Sequence, residues 1–205
     1  ISCSLVGSEM CIRDSASPMP CFTKYVIDKL KDRPDIVTTG VVAFPAGAED
    51  TFIKVATAKD MISLGCEELD MVINVGALKC GMYQVVEDDI RAVVDAACGV
   101  PVKTILEICY LTDDEIKRGA EIGVKAGATF IKTGTGWGPN PTTVDTIRLI
   151  RSTIGDAAYI KAAGGVRTLD TLVEMFEAGC DRFGIGYRTA PAILEDAMKR
   201  AEAQV

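Results

Sequence analysis

Ala128-Thr-Phe-Ile-Lys132-Thr-Gly-Thr-Gly136 is an apolar run that ends in a lysine and then in a loop of small residues. A strand of a buried parallel sheet is hydrophobic on both faces, so a lysine at its far end requires a reason. Lysine is almost never fully buried without a partner, because desolvation disfavours the ammonium and lowers its pKa. An amine perturbed in this way is a nucleophile that can form a Schiff base with a carbonyl. The alternative is a strand-end lysine that snorkels its head to water. A second copy of the design argues against that alternative. Ala158-Tyr-Ile-Lys161-Ala-Ala-Gly164-Gly165-Val166-Arg167 again sets an apolar strand, a lysine and a small-residue loop in the same order. Two lysines meeting at the mouth of one sheet would lower each other's pKa by like-charge repulsion, which makes an amine reactive at neutral pH.

Outward from these two strands the chain alternates strand and helix with short connections. Apolar β-branched runs predict strands at 36–44, 69–75, 100–111, 128–132, 157–163 and 182–186, with a seventh near Ala16 to Pro20. Helical spacing and caps predict helices at 22–31, 49–64, 83–97, 112–126, 143–153, 169–177 and 190–203, with Gly76 opening a loop. Leu64-Gly65-Cys66, Ala126-Gly127-Ala128 and Ala178-Gly179-Cys180 each join a helix end to a strand start, as a reused βα unit would. Strand–helix alternation implies parallel strands with right-handed crossovers. The expected fold is an α/β protein, a TIM (β/α)8 barrel lacking its first strand, since seven strands fall one short of eight. A doubly wound open sheet suits the count less well, because no G-x-G-x-x-G follows a first strand. Residues 1–15 show no periodicity and are expected to be a non-native or disordered segment ahead of a single barrel domain at 16–205; a short strand within 11–19 is the competing reading.

Composition narrows the chemistry. The 205 residues, 48% hydrophobic and 25% charged, suffice for one domain with a substantial core. A formal charge of −7 argues against nucleic-acid or anionic-membrane partners, though not against a local phosphate site. Eight cysteines without a C-x-x-C pair, and no secretory leader pattern, read as reduced thiols of a cytoplasmic protein. There is no histidine, which removes Ser-His-Asp and Cys-His catalysis and histidine-ligated zinc together. No metal and no cofactor are expected, and acid–base work falls to lysine, carboxylates, tyrosine, cysteine or water.

Barrel sites lie at the C-terminal ends of strands. Asp70, Lys103, Lys132 and Lys161 stand on four strands at positions that could point inward, with Glu107 further along the Lys103 strand. Asp70, Val72 and Asn74 share one face of their strand by alternation. A lone strand aspartate is usually structural, but one among several lysines is a site candidate, because buried charges must pair. Gly134-Thr135-Gly136 and Gly164-Gly165-Val166-Arg167 would bring backbone N–H groups close to an anion, with a helix N-terminus at Thr168; phosphate is the natural ligand. Gly184-Ile-Gly186, followed by Tyr187 and Arg188, is a third candidate edge.

Phe130-Ile-Lys132-Thr-Gly-Thr-Gly136, Ile160-Lys161-Ala-Ala-Gly-Gly-Val-Arg167 and Glu68-Leu-Asp70-Met-Val-Ile-Asn-Val-Gly76-Ala-Leu together resemble the signatures of the deoxyribose-phosphate aldolase family, from about Pro20 onward. The resemblance implies reversible, metal-free cleavage of 2-deoxy-D-ribose 5-phosphate to glyceraldehyde 3-phosphate and acetaldehyde. It implies Lys132 as the Schiff-base lysine, Lys161 as its perturbing neighbour and proton shuttle, and Asp70 as proton donor and acceptor through water. It implies a phosphate pocket of Thr135, Gly136, Gly164, Gly165, Val166, Arg167 and Gly186, with Lys103 in a supporting role. The chain departs from the family pattern in lacking the usual first-strand motif, in Trp137 where a lysine is common, and in Gly186 and Tyr187 where two serines are common. Partners are expected to be small phosphorylated sugars and aldehydes; exposed apolar helices would favour a homodimer, although the sequence does not give the oligomeric state. The rivals are another Schiff-base sugar-phosphate aldolase or transaldolase, and a non-catalytic phosphate-binding barrel fragment.

Overall fold

Eight strands close into a barrel in the computed structural model, which describes residues 9–11 and 15–202. β1 (Glu9–Cys11) is followed by β2 (Ser15–Ser17), β3 (Val37–Val42), β4 (Glu68–Val72), β5 (Val102–Ile105), β6 (Phe130–Lys132), β7 (Tyr159–Ala163) and β8 (Arg182–Gly186). From β2 to β8 each strand pairs in parallel with the next, so the seven parallel strands expected from the sequence are present. The eighth place is filled differently from a (β/α)8 barrel. β1 runs antiparallel to both β2 and β8, with Met10 opposite Ala16 on one side and Ile185 on the other. An open sheet would leave the backbone donors and acceptors of β2 and β8 unpaired, and three residues of hairpin are enough to satisfy them. The domain boundary expected at residue 16 is therefore too late: Ser15 lies in β2 and Glu9–Cys11 in the sheet. Residues 1–8 and 12–14, which that expectation also covered, lie outside the described residues.

The helices are α1 (Thr23–Leu30), α2 (Thr51–Leu64), α3 (Val75–Lys79), α4 (Tyr83–Ala96), α5 (Asp113–Lys125), α6 (Val144–Ile154), α7 (Leu169–Glu177) and α8 (Ala190–Glu202). Their starts follow local chemistry. Thr112 forms a capping box with Glu115, and Asp50, Thr143 and Thr168 each accept a backbone N–H of the first turn. α3 corrects the loop expected at Gly76. Asn74 is not on a strand face but is the N-cap of that helix, its side chain accepting Ala77 N–H at 2.9 Å.

The core lies between barrel and helices: Leu69, Met71, Ile131 and Ile160 pack outward against Ile90, Val93, Ala120, Ile147 and Ile150. α5 approaches the sheet so closely that a Cβ on Gly123 would lie 2.7 Å from Ile131 Cδ1 and 2.9 Å from Thr104 Oγ1. A second, charged seam holds α2 to α4. Lys54 Nζ lies 2.6 Å from Asp89 Oδ2, and Thr51 donates to Asp89 Oδ1 at 2.7 Å, with both charged groups buried. These packings leave the strand interiors to the polar residues that the sequence singled out.

Candidate active site

Period-two alternation sends Leu69 and Met71 outward and Asp70 inward, where its carboxylate is fully buried. Register does the rest. Asp70 is the partner of Lys103 across β4 and β5, and Lys132 is the partner of Lys161 across β6 and β7. The long lysine side chains span the barrel interior and converge on that one carboxylate. Lys132 Nζ donates to Asp70 Oδ2 at 2.9 Å and Lys161 Nζ to the same oxygen at 3.1 Å. Lys103 Nζ stands 3.2 Å from Asp70 Oδ1, an ionic contact without hydrogen-bond alignment. All four side chains are buried.

Burial alone would raise the Asp70 pKa, but attraction by Lys103, Lys132 and Lys161 outweighs it and holds the carboxyl well below the usual range. Lys103 is in turn held from below by Glu68, at 2.6 Å, whose other oxygen accepts from Arg182 at 2.7 Å. Burial opposes ionisation of Glu68 as well, and the same two cations reverse it. The Phe130 ring, at the start of β6, lies under both Lys103 and Arg182 at 5.6 and 5.8 Å. Lys103 thus links the Asp70 cluster to a second carboxylate, which sequence reasoning missed. The available signal was that Glu68 shares a strand face with Asp70, two residues away.

Above the lysines the strand-end loops form a cavity of about 100 Å³ lined by Glu107, Gly134, Gly136, Asn140, Gly164 and Arg167, among others. Gly164 and Gly165 have φ of +84° and +90°, a backbone region open to glycine. Space also requires them: a Cβ on Gly164 would lie 3.2 Å from Gly136 Cα, and one on Gly165 would run into Pro141. Gly136, Gly164, Gly165 and Arg167, four of the residues expected to hold an anion, therefore share the wall of one cavity. The remaining members of that expectation fall elsewhere. The Val166 side chain belongs to the core, and Thr135 is buried with its hydroxyl accepting Trp137 N–H at 3.0 Å. Gly186 pairs with Glu9 in the sheet and is not on the cavity wall, because β8 turns its end toward β1. Two threonines to which the sequence assigned no role seal the base of the loops. Thr133 and Thr142 hydroxyls lie 2.7 Å apart, and both reach the Ala163 carbonyl.

Comparison with known proteins agrees with this fold. The family model for DeoC/LacD family aldolases matches residues 15–187. A deoxyribose-phosphate aldolase of Exiguobacterium sp. is 47% identical over 165 residues, covering 80% of this chain and 75% of that protein. The solved structure titled "QR15, an Aldolase" superposes with a TM-score of 0.83 at 34% identity, over 91% of this chain and 82% of the other. The deoxyribose phosphate aldolase of Aeropyrum pernix, whose title describes a tetrameric structure, superposes at 0.76 with 26% identity, over 89% of this chain and 76% of that one. No helix among the described residues is long and apolar enough to cross a membrane. With two buried lysines on one carboxylate at the strand ends and a family model spanning most of its length, this chain belongs to the DeoC/LacD family of aldolases.

Proposed function

We propose that the chain is a class I aldolase that reversibly cleaves 2-deoxy-D-ribose 5-phosphate to D-glyceraldehyde 3-phosphate and acetaldehyde, with Lys132 as nucleophile. The observation that carries this reading is the pair of buried amines sharing Asp70 Oδ2. The name borne by the 47% identical relative supports the substrate.

The Lys132 amine adds to the substrate aldehyde at C1, and loss of water leaves an iminium. Removal of the C3 hydroxyl proton then breaks the C2–C3 bond; the electron pair flows into the iminium, giving an enamine and releasing glyceraldehyde 3-phosphate. Protonation of the enamine at C2 and hydrolysis return the amine and release acetaldehyde. Asp70 and Lys161, joined at 3.1 Å, carry these protons with water as intermediary. Lys103 supports them by holding Asp70 ionised. The loops of Gly136, Gly164, Gly165 and Arg167 offer backbone N–H groups and a guanidinium to the phosphate. On this reading the reaction is cytoplasmic and the protein partner is a second copy of the chain.

Incubation with deoxyribose phosphate followed by borohydride should fix a reduced adduct on Lys132, located by peptide mass spectrometry. The Lys132→Ala protein should lose that labelling and its turnover together. Undiminished labelling of the variant would remove Lys132 from the role.

A further inference from the structure

Glu107 stands on the wall of the loop cavity, 5% exposed, and the cluster around Asp70 does not use it. Leu106 N–H donates to the Lys132 carbonyl and Ile108 N–H to that of Thr133, both at 3.0 Å, so Glu107 lies beside the end of the strand that carries Lys132. Its backbone is left-handed, with φ +55°, a conformation that a non-glycine residue keeps only when its surroundings demand it.

Among the described residues, neither donor to its carboxylate is charged. Thr135 N–H is shared between the two oxygens at 3.4 and 3.2 Å, and the Cys109 thiol reaches Oε1 at 3.6 Å. A carboxylate has about four acceptor positions, and a buried one without a full set of partners is costly. The backbone on both sides is cut back to admit it. A Cβ on Gly134 would lie 2.9 Å from Glu107 Oε1, and one on Gly138 would lie 3.2 Å from it. Both glycines also line the cavity, as does Arg167, whose side chain is exposed. The inner wall of this cavity therefore presents a carboxylate with spare acceptor positions, while the Arg167 guanidinium stands at the rim.

We propose that Glu107 is a specificity-determining residue: its carboxylate accepts a hydrogen bond from a substrate hydroxyl and keeps the anionic group of the ligand out at the Arg167 rim. The proposal rests on the Schiff-base aldolase reading and adds to it a division of the cavity into a hydroxyl end and a phosphate end. A carboxylate facing a dianion in a half-enclosed cavity repels it, whereas a hydroxyl satisfies it with a charge-assisted bond. Hydroxylated sugar phosphates present both groups.

Glu107→Gln keeps the size of the side chain and an oxygen for Thr135 N–H but removes the charge. With 2-deoxyribose, which has no phosphate, KM should rise. The ratio of kcat/KM for 2-deoxyribose 5-phosphate over that for 2-deoxyribose should rise on the order of tenfold, equivalent to about 1.4 kcal/mol of relieved repulsion. Inorganic phosphate should become a tighter inhibitor by a similar factor. A residue that merely ordered the loop would lower both substrates equally, so an unchanged ratio overturns the proposal. Should the variant not fold, the unaltered protein still decides. Erythritol and inorganic phosphate should inhibit together without excluding one another, and mutual exclusion overturns the two-ended cavity. Borohydride trapping of the unaltered chain separates the two layers of inference. Trapping with an unchanged ratio sinks only the role of Glu107, and absence of trapping sinks the aldolase reading beneath it.

Discussion

Among the described residues, Asp70 is the anion on which Lys103, Lys132 and Lys161 all converge, within 3.2 Å. Removing one partner of a buried ionic cluster costs more than the cluster contributes, because the charges left behind have lost their hydration. Asp70→Asn should therefore destabilise the fold by about 3–5 kcal/mol at neutral pH. The pH dependence has a definite sign. The folded-state pKa of Asp70 lies below its ordinary value, so its contribution is fully present above the unfolded carboxylate range, near about 4, and is lost as pH falls through the lower folded value. Urea unfolding of both proteins across pH should give a gap that is constant near neutrality and narrows only below about pH 4. A gap that closed between pH 5 and 8 would mean that a different group supplies the stability. Turnover of the same variant should fall sharply while borohydride trapping is partly kept, since Lys132 survives and the proton relay does not.

At the level of elements, apolar packing forms the layer between helices and barrel, and between α2 and α4 a buried lysine also meets a buried aspartate at 2.6 Å. Lys54 also reaches the Val72 carbonyl at 3.4 Å, so the pair is tied to the end of β4, two residues beyond Asp70. Lys54→Met should cost about 3–5 kcal/mol, because Asp89 is left buried beside Thr51 without its counter-ion. The double substitution Lys54→Met with Asp89→Leu should recover most of that loss, as apolar replacements of buried pairs commonly do. Chemical denaturation of the three proteins checks this. A double variant no more stable than the single one would show that the seam is held by geometry rather than by charge balance.

For the whole molecule, closure depends on β1. Without Glu9–Cys11 the facing edges of β2 and β8 would present unpaired backbone groups, which recruit strands from other chains. A protein lacking residues 1–11 should form large concentration-dependent aggregates by light scattering, whereas the unaltered chain should run as a single discrete species. A truncated chain of the same discrete mass would show that the barrel closes by another route.

Element type and order were legible in the sequence because they follow local rules. Apolar runs such as Ile36 to Phe44 and caps such as Thr112 with Glu115 act within a few residues, and α7 and β8 fall at 169–177 and 182–186 as their patterns predict. The two lysine motifs were legible for the same reason: a charged residue at the end of a buried strand contradicts its surroundings, and the repetition marked both. Asp70 was expected among these lysines, but the contacts were not legible, since Asp70 and Lys161 are 91 positions apart and only the closed sheet brings them to 3.1 Å. The clamp of Glu68 on Lys103 and Arg182, the antiparallel strand that fills the eighth place, and the carboxylate of Glu107 set against two glycines are likewise long-range facts. Alternation and composition decide which way a side chain faces. Which groups then meet across a barrel depends on register and closure, which belong to the folded chain as a whole.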